Sequence, residues 1–389
     1  MKPRIVIVGA GPAGSSLAIR LAGGGFPVTL VEREKFPRHK LCGEFISPEC
    51  LIQFTELGIL DEMLSAGGDR ITETRFYAPS GKNVVVPSAW FGGGGFALSL
   101  SRAEMDHRLL LRAREVGVEV LEETSAAGLL RENGAINGIT VRTKGGDTFD
   151  IPAGLVIDAT GRAGILRKFL GKKNAPKNRP KFIGFKAHFR GVEMQKARCE
   201  IYFFRGGYGG LSFVEKDRAN FCFLIRAEAA RELNGKTGKI IEKLVFQNAR
   251  ARETLQNAAP VRDWLAVSVE SFGRKELNPA ENLFAVGDAA AFIDPFTGSG
   301  MLMALESARL LAKCMDGRYS SPKDLARSYA SLYKRTFENR LRVSSLMRTA
   351  AFIPSLAGGV ISALSLSGKA REFLTKATRT ASPVEHNKP

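Results

Sequence analysis

The sequence predicts a chain of the α/β class, α+β when taken whole, on three observations. A strand, a glycine-rich turn and a helix open the chain; a second strand, glycine turn and helix return after residue 282; β-rich, aromatic-rich runs lie between. At 389 residues the chain is too long for one ordinary domain and suits two that interleave. Its 44% hydrophobic and 25% charged residues are a globular balance, so a large core is expected.

The opening segment, RIVIVGAGPAGSSLAIRLAGGGFPVTLVERE, reads as strand, turn, helix and strand. Ile5 to Val8 is a continuous apolar run of the kind buried in a parallel sheet. Gly9, Gly11 and Gly14 form G-x-G-x-x-G at the junction: a tight turn, a close approach of backbone to a pyrophosphate, and close helix–strand packing. The amides of the helix start would face the phosphates, and Ala13 inside the fingerprint is a binding candidate with them. Glu32 ends the second predicted strand, Val28 to Val31, where a carboxylate accepts hydrogen bonds from a ribose diol and disfavours a 2′-phosphate. This is a Rossmann-like cradle, and the segment alone suits FAD or NAD.

The later segment, NLFAVGDAAAFIDPFTGSG, again has a buried strand, Leu283 to Val286, followed by Gly287 and Asp288. Small residues Ala289 to Ala291 allow a close backbone approach, and Asp288 can accept a hydrogen bond from a ribitol. Pro295 and Phe296 fix a loop; Gly298, Ser299 and Gly300 open a helix expected over Met301 to Met315. A helix N-terminus carries about half a positive charge, and set against a flavin's pyrimidine edge it would stabilise the reduced ring by about 1 kcal/mol. NAD has neither ribitol nor isoalloxazine, so the second cradle selects FAD. Gly287, Asp288, Pro295, Gly298, Ser299, Gly300 and Met301 are its binding candidates.

The early G-x-G-x-x-G, the strand-end acid and the late GDAA…DPFTGSG resemble those of FAD-dependent oxidoreductases with the aromatic-hydroxylase fold. That superfamily includes geranylgeranyl reductases, flavin-dependent halogenases and single-component aromatic monooxygenases. The resemblance implies that VEREKFPRHKLCGEFISPECL runs along the flavin. Cys42-Gly43 matches the reductases, and Gly43-Glu44 is similar to the halogenases, so Cys42 and Glu44 are the catalytic candidates. A carboxylic acid raised in pKa by desolvation can donate a proton. Arg33, Arg38 and Lys40 are candidate neighbours of the FAD phosphates. Arg102, following a predicted Ser101 N-cap, matches the family arginine near the phosphate or ribityl; a surface pair with Glu104 or Asp106 is the alternative. Thr160-Gly161 stands where the hydroxylases have Asp-Gly, which puts their direct NADPH mode in doubt. The halogenase W-x-W-x-I-P is missing, Trp90 and Trp264 being far apart. The leading expectation is hydride transfer to a C=C bond of an isoprenoid or lipid, with NAD(P)H or another reductant as electron donor. The alternative is a monooxygenase of a phenolic or polyketide-like compound; a halogenase or a noncatalytic electron-relay protein ranks below both.

Residues 1–70, 100–175 and 276–320 are expected to form a discontinuous FAD-binding domain. Residues 71–99 and 176–275 would form an antiparallel substrate sheet, and 321–389 a helical cap with a frayed tail. The aromatics from Phe185 to Phe223 would be core or line an apolar pocket. Lys and Arg number 57 against 39 Asp and Glu, a net charge of +18 that favours anionic partners: a phosphate-bearing cofactor, an acidic carrier protein or a membrane surface. The basic residues are scattered without a recognition motif, so nucleic acid is not expected. Cys42, Cys50, Cys199, Cys222 and Cys314 are odd in number and lack CxxC, which fits a reducing cytoplasm. The four histidines do not cluster, so no metal is expected. Thr349 to Gly368 carries no charge, but Pro354, Gly358 and Gly359 make it weak for a spanning helix. Packed helices or a segment resting on a membrane are the readings it allows.

Overall fold

The computed structural model describes residues 2–92, 94–171, 181–270, 272–316, 321–352, 354–365 and 367–377. The expected tail from Thr380 onward, with His386, lies outside these residues. A five-stranded parallel sheet runs in the order Leu283–Ala285, Leu155–Asp158, Ile5–Val8, Val28–Val31, Glu119–Leu121. Ile5–Val8 is central and wholly buried because both of its faces are covered. Ile5 and Ile7 pack with the helices Pro12–Gly23, Arg102–Glu115 and Gly300–Met315. Val6 and Val8 meet Ile136, Ile139 and Val141 of an antiparallel layer, Thr124–Glu132, Ala135–Thr143 and Thr148–Pro152. A continuous apolar run is what a strand between two layers requires.

The second sheet has eight strands, with Phe182–Arg190, Arg218–Arg226, Gly207–Val214 and Arg198–Phe204 at its centre. Glu73–Tyr77 joins Arg198–Phe204 in parallel, the other pairings being antiparallel. Strand alternation divides its residues between two faces. Phe185, Phe189, Tyr202, Phe204, Phe221 and Phe223 form a core. Residues of the short helices Ala227–Glu232, Thr237–Lys243 and Ala249–Leu255 complete that core. The strand pattern of residues 181–275 does not predict these helices.

Phe203, Tyr208 and Leu224 belong to a different cluster, with Phe296, Phe352 and Ile361. Helices Pro322–Ala351, Pro354–Ser365 and Gly368–Ala377 follow, and Tyr329, Tyr333 and Phe337 of the first are buried in the main core. Among the described residues no helix is long and apolar enough to cross a membrane.

Candidate functional site

The first cradle is built as its spacing requires. Gly9 has φ +105°, and a Cβ there would stand 2.5 Å from the Ala159 carbonyl oxygen. At Gly14 a Cβ would lie 1.8 Å from the Gly9 carbonyl oxygen, so any side chain would drive the helix off the strand. Gly11 meets nothing nearer than the Arg102 guanidinium at 3.8 Å, which leaves its face open. The Ala10 amide donates to Glu32 Oε2 at 2.8 Å and the Glu34 amide to Oε1 at 3.0 Å. These bonds fix the carboxylate and leave it acceptor capacity for a diol. Arg33 is exposed and pairs with Glu34 at 3.3 Å, so it is not drawn into the turn.

Gly287 is where the two cradles touch. Its φ is +59°, and an added Cβ would stand 2.8 Å from Ala13 Cβ. Its amide donates to Ser307 Oγ at 2.8 Å. The neighbouring Asp288 carboxylate accepts no hydrogen bond among the described residues; burial raises its pKa against the opposing charges of Lys40, Arg102, Lys275 and Arg162. Lys40 has substantial exposed surface. Burial of its ammonium, with Arg102 and Arg38 nearby, nevertheless lowers its pKa to about 8; a lysine in a cleft satisfies both observations.

In the following loop Asp294 Oδ1 accepts from the Phe296 amide at 2.9 Å and from the Tyr208 hydroxyl at 2.6 Å, tying the loop to the second sheet. Pro295 is exposed, Gly298 has φ +59°, Ser299 is buried and the helix begins at Gly300, with Met301 packed beneath it.

Arg102 is buried, and the sequence alternatives merge. Nε and Nη2 donate to the two Asp106 oxygens at 2.7 and 2.6 Å, while the guanidinium also faces Gly11 and interacts with the Cys42 thiol. Asp106, fully buried, is shared with Arg38 at 2.9 Å. Ser101 caps this helix, accepting from the Glu104 amide at 3.2 Å.

Glu44 departs from the condition set for a proton donor. It is fully buried with φ +56°. Its Oε1 accepts from the Arg102 backbone amide at 2.8 Å and from Lys186 Nζ, and its Oε2 lies 2.7 Å from His188 Nε2. Burial pushes its pKa up, but the Lys186 charge and the His188 contact outweigh burial and hold it below the ordinary carboxylate value. A carboxylate kept ionised is a poor acid at neutral pH. Lys186, His188 and Asn220 were not selected from the sequence. The available signal was Lys-Ala-His inside the apolar run FIGFKAHF, which places two polar side chains on one face of a buried strand. A cavity of about 500 Å3 opens elsewhere, beside Arg75, Arg198 and Arg250. Glu73 pairs with both Arg75 and Arg198, Glu200 pairs with Arg250, and no cradle residue lines it.

A nucleotide cradle, a second glycine turn at a helix start and an Asp288 carboxylate that accepts no hydrogen bond among the described residues define a flavin site, and the open faces of Gly11 and Gly300 fit FAD. The chain belongs to the family described as FAD binding domain, whose profile matches residues 2–333, and it is an FAD-dependent oxidoreductase. It is 30% identical over 336 residues to a digeranylgeranylglycerophospholipid reductase of Methanothrix thermoacetophila, covering 82% of this chain and 79% of the relative. A reductase of the same description from Methanococcoides burtonii is 27% identical, covering 95% and 88%. Among solved structures, a geranylgeranyl bacteriochlorophyll reductase-like protein of Thermoplasma acidophilum matches with TM-score 0.78 and 21% identity over 96% of both chains. A flavin-dependent brominase matches with TM-score 0.78 and 18% identity over 96% of this chain and 94% of its own. At these identities the structures establish the fold.

Proposed function

We propose that this enzyme saturates a C=C bond of an isoprenoid lipid. The observation that carries the reading is the buried aromatic cluster beside the second cradle. Phe203 and Tyr208 of the second sheet pack with Phe296 of the cofactor loop at ring separations of 5.6 and 5.3 Å. Phe352 joins them at 5.7 Å from Tyr208. Phe203, Tyr208 and Phe352 are buried there, and this apolar setting next to the loop suits an unsaturated chain better than a polar substrate. The names of the two reductase relatives support the same substrate class.

The residues that would hold FAD are Gly9, Gly11, Ala13, Gly14 and Glu32 at the adenosine end, with Arg102, Gly287, Asp288 and Gly298 to Met301 toward the ring. When bound and reduced by NAD(P)H or another donor, FAD would supply the hydride, and a proton added at the second carbon would complete the saturated bond. The chain's part is to bind, orient and exclude water. Cys42, half-buried beside Arg102, is the side chain we place at the reacting face. Glu44 stands behind it as a fixed charge.

The test is anaerobic. Photoreduced enzyme is mixed with a digeranylgeranyl lipid and flavin absorbance is followed. Reoxidation on lipid addition without oxygen supports the reading. Reoxidation that needs oxygen, with oxygen inserted into a product, defeats it in favour of the monooxygenase. We also propose that the enzyme meets its lipid at an anionic membrane surface. Phe373, 76% exposed on Gly368–Ala377, and Val360 on Pro354–Ser365 offer apolar contact in a chain of net charge +18. Flotation with phosphatidylglycerol vesicles, weakened by Phe373→Ser, would support this contact; equal flotation with neutral vesicles would contradict it.

A further inference from the structure

We propose that Glu44, Lys186 and His188 form a buried clamp that positions the Cys42 segment between the cofactor cradles and the second sheet. The clamp is made by three separate elements. Lys186 and His188 project from Phe182–Arg190, the Arg102 amide comes from the start of Arg102–Glu115, and Glu44 ends the segment itself.

The grip extends along the segment. Lys186 Nζ also donates to the Lys40 carbonyl at 3.0 Å, and Asn220 Nδ2 to the Cys42 carbonyl at 3.1 Å. Leu41 packs over Gly184, where a Cβ would come within 3.3 Å of Leu41 Cδ2. The Glu44 amide in turn donates to Cys42 Sγ at 3.4 Å, and the Glu44 carbonyl accepts from Leu100 at 3.3 Å. Residues 40, 41, 42 and 44 are thus held from the sheet side. Lys40 and Cys42 meanwhile interact with Asp288 and Arg102 of the cofactor site.

Two features argue for positioning over simple stability. A non-glycine residue at φ +56° is unfavourable and persists only where its surroundings over-determine it, as five contacts do here. A buried ion pair seldom stabilises a fold more than apolar residues of the same volume would. Its distinct contribution is that charge and hydrogen-bond geometry allow one arrangement, where an apolar contact allows several. The inference rests on the proposed function only for the use made of Cys42, and its test needs no substrate.

The test uses FAD-loaded protein and the variants Glu44→Gln, His188→Gln and Glu44→Gln/Lys186→Met. The double variant removes both charges and keeps volume, while releasing the Lys40 carbonyl. Alkylation by N-ethylmaleimide is followed peptide by peptide in a mass spectrometer, with the remote Cys314 as internal control. Loss of a charged buried hydrogen bond predicts at least about a ten-fold faster Cys42 reaction at unchanged Cys314 rate, with an altered flavin spectrum. Equal acceleration of both cysteines would mean global loosening and would overturn the proposal. A folded double variant or His188→Gln whose Cys42 rate stays within two-fold of the parent overturns the proposal. If none of the three variants folds, the cluster is a stability element and the proposal also fails.

Discussion

Gly287→Ala tests the junction between the two cradles. Two costs are worked from the geometry. Alanine at φ +59° pays about 1–2 kcal/mol for the left-handed conformation. Its Cβ would also stand 2.8 Å from Ala13 Cβ, against 3.4–4 Å for ordinary contact, and overpacking of this kind costs about 1–3 kcal/mol. The sum is about 2–5 kcal/mol, enough to lower the unfolding midpoint and loosen FAD. Ala13→Gly removes the atom that is struck, so Ala13→Gly/Gly287→Ala should regain the overpacking share and keep the backbone share. The assay is a double-mutant cycle on urea unfolding, with FAD retention after gel filtration as a second readout. An interaction energy of about 1–3 kcal/mol is expected. Additivity within about 0.5 kcal/mol would refute the claim that these two residues define the meeting of the cradles.

Asp288→Ala should weaken FAD retention about ten-fold or more, the effect of losing a charged hydrogen bond; unaltered occupancy would remove Asp288 from the site. Tyr208→Phe deprives Asp294, 1% exposed, of its 2.6 Å donor and should cost about 1–3 kcal/mol in urea unfolding while changing the flavin spectrum. A variant as stable as the parent, with the parent spectrum, would break the proposed link between sheet and loop. His39 predicts a pH effect. Burial, then the Arg262, Lys186 and His188 charges, lower its pKa from 6.5 to about 4 against the opposing pull of Glu44. Between those values the unfolded chain binds a proton that the folded chain refuses, so stability falls as pH drops through that window. His39→Gln should flatten the stability profile between pH 4 and 6.5; an unchanged slope would deny His39 that part.

What the sequence made legible was local. The fingerprint glycines, the buried strands and the Ser101 cap are each determined by a few neighbouring residues, and the structure places them within one or two positions. The second glycine turn was readable for the same reason, its helix starting at Gly300, one residue before the expected Met301.

The Glu44 environment was not readable, because Lys186 and His188 lie 142 and 144 residues away and meet it only through the folded sheet. Burial alone would raise the Glu44 pKa; its observed direction depends on charges that no local window contains. Arg102 shows the intermediate case. Its i,i+4 spacing to Asp106 was visible, but the burial that turns a weak surface pair into a fixed one comes from the Arg38 segment lying against it. The helices between Ala227 and Leu255 were hidden by their brevity, each presenting too few turns for a clear apolar stripe.

The most direct measurement of the central claim is the mass of the product formed in a single anaerobic turnover of reduced enzyme with a digeranylgeranyl lipid. The account predicts a gain of two hydrogen atoms for each double bond reduced, with one equivalent of flavin oxidised. A lipid recovered unchanged beside reduced flavin, or a product heavier by one oxygen once air is admitted, would contradict it.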